Sequence, residues 1–182
     1  MGYDINLVAQ DGKYSSSYLP LVEKLKQQFP EFKNIYYDLD TLEEVFDGSY
    51  GTNNYTKQEI IQKGLGIKLE AEFSNGIPKP REIQKTSSGF MVEIRHEDWI
   101  EISFWDKGNI NLEVPNYPHR DLNIAIADIL SVVRFFQEEG FVVNHPTEDK
   151  IIFKTDVEAF LYQDYLNRQI QVDKVLKIVF DE

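Results

Sequence analysis

Between residues 67 and 114 the chain alternates apolar and polar side chains with a period of two. This pattern limits the fold more than any other feature of its 182 residues. Ile67, Leu69, Ala71 and Phe73 alternate with Lys68, Glu70 and Glu72. Ile100, Ile102 and Phe104 form one side of a second run, and Ile110, Leu112 and Val114 one side of a third. Successive side chains of a strand point to opposite faces, so each run reads as a strand buried on one side. Residues 90–95 supply a further strand, and 81–85 an edge strand within the proline-bearing connection GIPKPREIQKTSSG.

Register follows from parity. The apolar faces of 99–105 and 109–114 coincide only across a loop with an odd number of residues. Asp106-Lys107-Gly108, with a left-handed glycine, supplies one. Phe104 then faces Ile110, and Ile102 faces Leu112. Upstream, pairing Ile94 with Ile100 asks for His96-Glu97-Asp98 as a second three-residue loop and puts Val92 opposite Ile102. On the reverse face Glu93 lies across from Glu101, and Glu101 across from Glu113. Met91, Arg95, Trp99, Ser103, Trp105 and Asn111 surround that row. Like charges directly opposed in a sheet are unfavourable, so stability alone does not account for it. A solvated face accounts for it through water and salt. A recognition surface accounts for it through tryptophan contact area and carboxylates that select a cationic partner. Burial of the face under another layer is the third account, and it leaves the glutamates to be explained.

Elsewhere the period is helical or the signals are those of turns. Tyr3, Ile5 and Leu7 oppose Asp4 and Asn6 in a first strand. Ser15–Ser17 and Pro20 open a helix striped by Leu21, Leu25 and Phe29, which Pro30 stops. Ile35–Leu39 reads as a short strand. Thr41 with Glu44, Thr56 with Glu59, and Thr155 with Glu158 each have the spacing of a capping box. Asp121 caps the longest helix, 122–139, with Gly140 after its end. Phe141–Asn144 and Ile151–Phe153 pair as strands, a helix runs to about Ile170, and a last strand spans roughly 174–180. Consecutive strands with helices before and after predict an α+β fold. Its sheet is mainly antiparallel, a meander around 67–114, with two or three helices on one face. The reading is a single domain over 1–182, with a possible N-terminal subregion 1–64 and a sheet and helix core 65–182.

Charge narrows the function. Asp and Glu number 31 against 19 Lys and Arg, for a formal net charge of −12. Such a chain repels phosphate backbones and anionic lipid and attracts a basic protein. Cysteine is absent, which removes disulfides, thiolate nucleophiles and cysteine-based metal sites. The start MGYDINLVAQDGKY lacks a signal-peptide pattern and no apolar run has membrane-spanning length, so a cytoplasmic location is expected.

Catalytic signatures fail in context. His119-Arg120-Asp121 spells a kinase catalytic triplet, but Ile126 stands where its asparagine belongs and Asp121 reads as a helix cap. Gly64-Leu65-Gly66 lacks the third glycine of a dinucleotide loop and precedes a strand. His96, His119 and His145 lack metal-ligand spacing; Asp38, Asp40, Glu43 and Glu44 could bind a hard cation, but Asp40 or Thr41 suits the cap of a short helix and the glutamates its N-terminal dipole. No cofactor, catalytic residue or metal ligand is assigned. The loop 47–56, with Tyr50, Asn53, Asn54 and Tyr55, has a composition found at adaptable binding surfaces.

Two stretches carry a resemblance. The opening Gly2-Tyr3-Asp4-Ile5, and Gly140-Phe141-Val142-Val143-Asn144-His145-Pro146 followed by Lys150-Ile151, resemble segments of small acidic uncharacterised bacterial proteins, some of them toxin-immunity proteins. Asn144-His145 departs from the aspartate usual there. The resemblance implies a non-enzymatic binding protein for a basic partner, with no site residues carried over. The residues themselves nominate Glu93, Trp99, Glu101, Trp105 and Glu113 as the binding face, and Tyr50, Asn53, Asn54 and Tyr55 as a secondary loop. A metal-dependent hydrolase using clustered carboxylates and a structural or scaffold module are the alternatives.

Overall fold

The computed structural model describes residues 2–10, 17–35, 54–73, 82–85, 89, 91–94, 98–115, 121–148 and 150–180. In chain order the elements are β1 (Gly2–Ala9), α1 (Leu19–Gln28), β2 (Lys33–Ile35), α2 (Lys57–Lys63), β3 (Lys68–Phe73), β4 (Glu82–Lys85) and β5 (Met91–Ile94). They continue with β6 (Asp98–Phe104), β7 (Asn109–Pro115), α3 (Leu122–Glu138), β8 (Phe141–Asn144), β9 (Ile151–Ile152) and α4 (Val157–Phe180). Seven strands form one sheet in the order β2-β3-β6-β7-β1-β8-β9, and β4 and β5 form a separate pair. Every described pairing is antiparallel. The fold is α+β.

Parity sets the core. Tyr3, Ile5 and Leu7 of β1, Leu69 and Ala71 of β3, Ile100, Ile102 and Phe104 of β6, and Ile110, Leu112 and Val114 of β7 join one buried cluster. The inward stripes of the helices complete it: Leu21, Val22 and Leu25 of α1, Ile129, Val133 and Phe136 of α3, and Leu161 and Tyr165 of α4. Phe104 sits at its centre, fully buried, with its ring 5.2 Å from that of Tyr18 and 6.4 Å from that of Phe136.

Local chemistry makes the ends. Thr56 and Glu59 close a reciprocal capping box, and α2 stops at Gly64 with φ +68°. Asp121 accepts hydrogen bonds from the Asn123 and Ile124 N–H groups to start α3. Asp106–Gly108 makes the three-residue connection between β6 and β7, with Gly108 at φ +76° and Phe104 opposite Ile110 as parity requires. Glycine is needed there twice over, because a Cβ would stand 2.7 Å from the Ala9 Cβ.

Three expectations are corrected. First, the sheet is not a continuous meander. β6 pairs with β3 from Lys68↔Ser103 to Phe73↔Asp98, while β5 pairs with β4. The loop 96–98 therefore does not join paired strands, Val92 does not face Ile102, and Glu93 does not face Glu101. Glu93 pairs with Ile83, and Glu70 takes the place opposite Glu101. Parity fixes which face a strand buries but not which strand lies beside it. The ladder to β3 extends over six residue pairs, and the described residues of β5 number four.

Second, residues 174–180 are not a strand, because α4 runs unbroken to Phe180. No glycine or proline interrupts the chain after Thr155, and the β-branched Val175, Ile178 and Val179 are a weaker signal than the continuing helix. Third, β2 begins at Lys33 and is described only to Ile35. The expected cap at Thr41 and Glu44 lies outside the described residues, as do His96, Arg95 and His119.

Candidate site on the outer sheet face

The alternation that buries Tyr3, Ile5 and Leu7 turns Asp4, Asn6 and Val8 to the other face of β1. The pairings then assemble two polar rows across the sheet. One runs Glu70, Glu101, Glu113, Asp4 over β3, β6, β7 and β1. The other runs Ser103, Asn111, Asn6, Asn144 over β6, β7, β1 and β8. Directly opposed positions lie about 5 Å apart, within reach of one another's fields.

Described contacts temper the acidic row. The Lys68 ammonium lies 2.6 Å from a Glu101 carboxylate oxygen. Asn111 donates from Nδ2 to Asp4 Oδ1 at 2.9 Å. The Glu113 carboxyl is pushed above its ordinary range, first by burial, then by the negative charges of Glu101 and Asp4, with Lys68 opposing. Asn111 Oδ1, on the same side chain that serves Asp4, is buried and has no hydrogen-bond donor among the described residues.

A groove of about 520 Å³ opens along β7, β1 and β8. Its walls include Asp4, Asn6, Asn111 and Asn144, with Trp105 and His145 beside them. Among the described residues no lysine or arginine lines it. The His145 ring is held by its own turn: Nδ1 accepts the N–H groups of Thr147 at 3.3 Å and Glu148 at 3.0 Å. The ring rests 5.1 Å from that of Phe160. Nδ1 thus carries no proton in this arrangement, and His145 presents a fixed orientation.

The nominated residues divide sharply. Glu101, Glu113 and the chain around Trp105 share the outer face, as parity required. Trp99 has the same parity but is only 7 % exposed, and Glu101 and Ser103 beside it are buried as well. β6 is therefore covered on both faces, which removes Trp99 as an exposed anchor. Glu93 belongs to the other sheet. In the secondary loop, Tyr50 and Asn53 lie outside the described residues and Asn54 is exposed. Tyr55 is half-buried, donates from its hydroxyl to Asp106 Oδ1 at 3.0 Å and holds Lys63 over its ring at 5.1 Å. Its contacts serve the β6–β7 connection.

Sequence reasoning missed Asp4, Asn6, Asn144, His145 and Glu70 as members of the site. The signal for Asp4 and Asn6 was present in their parity. Their neighbours were not, because β1 pairs with strands more than a hundred residues away. No group of three or more histidine, aspartate or glutamate side chains among the described residues is placed to hold a metal ion.

Fold and site together define an α+β protein with helices on one face of an antiparallel sheet and a polar, acid-edged groove on the other. No described helix is long and apolar enough to cross a membrane. Comparison with protein-family models, curated proteins and solved structures gives no match.

Proposed function

We propose that the chain is a cytoplasmic, non-enzymatic binding protein whose acidic outer sheet face engages a basic protein partner, in the manner of a toxin-immunity or inhibitor protein. The observation that carries this reading is the open end of the carboxylate row, where Glu113 and the exposed Asp4 stand opposite each other across β7 and β1. Such a row costs folding free energy, and a cationic partner would turn that cost into binding energy. The formal net charge of −12 supports fast encounter with a basic protein. The surface nearest the groove keeps one tryptophan, Trp105, as an aromatic contact.

The test compares two variants of equal charge. Asp4→Lys with Glu113→Lys reverses the groove edge, and Glu23→Lys with Glu138→Lys reverses exposed positions on α1 and α3. A partner is captured from the source extract with the unaltered chain, purified, and its Kd measured calorimetrically against all three. The face variant should bind at least about a hundredfold more weakly, a loss of about 2.7 kcal/mol. The control should stay within about threefold after correction for salt. Equal weakening in both variants would reduce the attraction to net charge and refute the assigned face.

A further inference from the structure

Resting on that reading, we infer that the groove along β7, β1 and β8 takes an arginine side chain of the basic partner, not a lysine. The groove offers one carboxylate, Asp4, and the side-chain amides of Asn6, Asn111 and Asn144, whose oxygens can accept, and no lysine or arginine lines it among the described residues. Glu113 stands opposite Asp4 in the next strand. A cationic occupant rich in donors complements the carboxylate and the amide oxygens of this set.

Shape and partner count separate the two cationic side chains. An ammonium is a compact point charge, satisfied by one carboxylate and water. A guanidinium is planar, offers five N–H donors in a fixed fork and stacks on aromatic rings. The groove has the elements that use such a fork. Asp4 and the asparagine row of Asn111, Asn6 and Asn144 spread acceptors over three adjacent strands, and Trp105 gives an aromatic wall. Asn111 points the same way. Its Nδ2 is committed to Asp4, and its Oδ1 is a buried acceptor with no donor among the described residues. A donor-rich guest that takes the place of Nδ2 at the Asp4 carboxylate leaves the amide to turn, so that Oδ1 meets a donor of the guest. Buried acceptors left without donors are uncommon in folded proteins, and this one belongs to a residue that lines the groove.

The experiment uses the full-length chain labelled with ¹⁵N and two capped tripeptides, Gly-Arg-Gly and Gly-Lys-Gly, at matched ionic strength. The arginine peptide should shift the side-chain amide signals of Asn6, Asn111 and Asn144 and the Trp105 indole, and bind about tenfold more tightly than the lysine peptide. Asp4→Asn, at an exposed position, should abolish those shifts while leaving the rest of the spectrum in place. Asn144→Ala gives an independent check with the charge unchanged, and should weaken the arginine peptide only. Equal binding of both peptides at the groove overturns the arginine assignment and leaves the basic-partner reading standing. Shifts at other surfaces alone, unchanged by Asp4→Asn, overturn both.

Discussion

Strands β6 and β1 belong to the same sheet, separated only by β7, and both alternate apolar with polar residues. On the inner side they behave alike, with Ile102, Phe104, Ile5 and Leu7 all buried in the common core. On the outer side they part. Trp99, Glu101 and Ser103 of β6 are covered, whereas Asp4 and Asn6 of β1 are exposed. Alternation thus decides which side meets the core. It does not decide whether the other side meets water, because that depends on whatever else the chain lays over it. Polar groups in the two places carry different costs. On β6 a carboxylate needs a local cation, and Glu101 has Lys68 at 2.6 Å. On β1 a carboxylate can rely on solvent and stay available to a partner.

The largest effect expected tests the side on which the two strands agree. Phe104→Ala empties the middle of the core between Tyr18 and Phe136 and should cost about 3–5 kcal/mol, read from urea unfolding midpoints. A loss below about 1 kcal/mol would mean that the core is not continuous across β6. The next tests the covered side. Lys68→Met leaves Glu101 buried without its nearest cation and should cost about 1–3 kcal/mol. A neutral outcome would place Glu101 in water and erase the difference between the strands.

How much of this was legible beforehand follows from the same contrast. The β6–β7 register, its three-residue connection and the Glu101–Glu113 pair could be read from parity because their partners are neighbours in the chain. The place of Glu93 could not. Its strand satisfies parity as well as β3 does, and only the longer ladder between β3 and β6 decides. The burial of Trp99 could be named as one account of that face but not decided, since no local pattern encodes a cover on the second face of a strand. Asp4 and Asn6 were visible as the polar side of β1. Their joining to Asn111, Asn144 and Glu113 rests on pairings of β1 with β7 and β8, which are remote in sequence. Half of the site was therefore written locally, and the groove only in the topology.

A smaller effect sharpens the comparison at the border between covered and open. Glu113 faces Glu101 on one side and Asp4 on the other, and its carboxyl is raised by burial and by both charges. A carboxyl raised in the folded chain binds its proton more tightly there than in the unfolded chain. Its contribution to stability is therefore largest at low pH and is lost as pH rises from the ordinary carboxylate range through the raised value. Glu113→Gln should flatten that part of the stability–pH curve. At pH 7 it should stabilise the protein by about 0.2–1 kcal/mol, the scale of like charges opposed across strands. Destabilisation at pH 7 would mean that Glu113 has a cation partner after all.

The smallest change falls on the open side and separates stability from recognition. Asp4→Asn keeps the Oδ1 acceptor that Asn111 uses, at an exposed position, so unfolding free energy should move by no more than about 0.5 kcal/mol. The same substitution removes one of the negative charges that raise Glu113. An NMR titration of the Glu113 carboxyl carbon should therefore show a lower midpoint in the variant than in the unaltered chain. Burial and Glu101, which act on Glu113 from the covered side, remain in place, so the midpoint should fall only part of the way. An unmoved midpoint would show that Asp4 and Glu113 are electrically separate, and the carboxylate row would then end at β7 instead of crossing to the exposed strand.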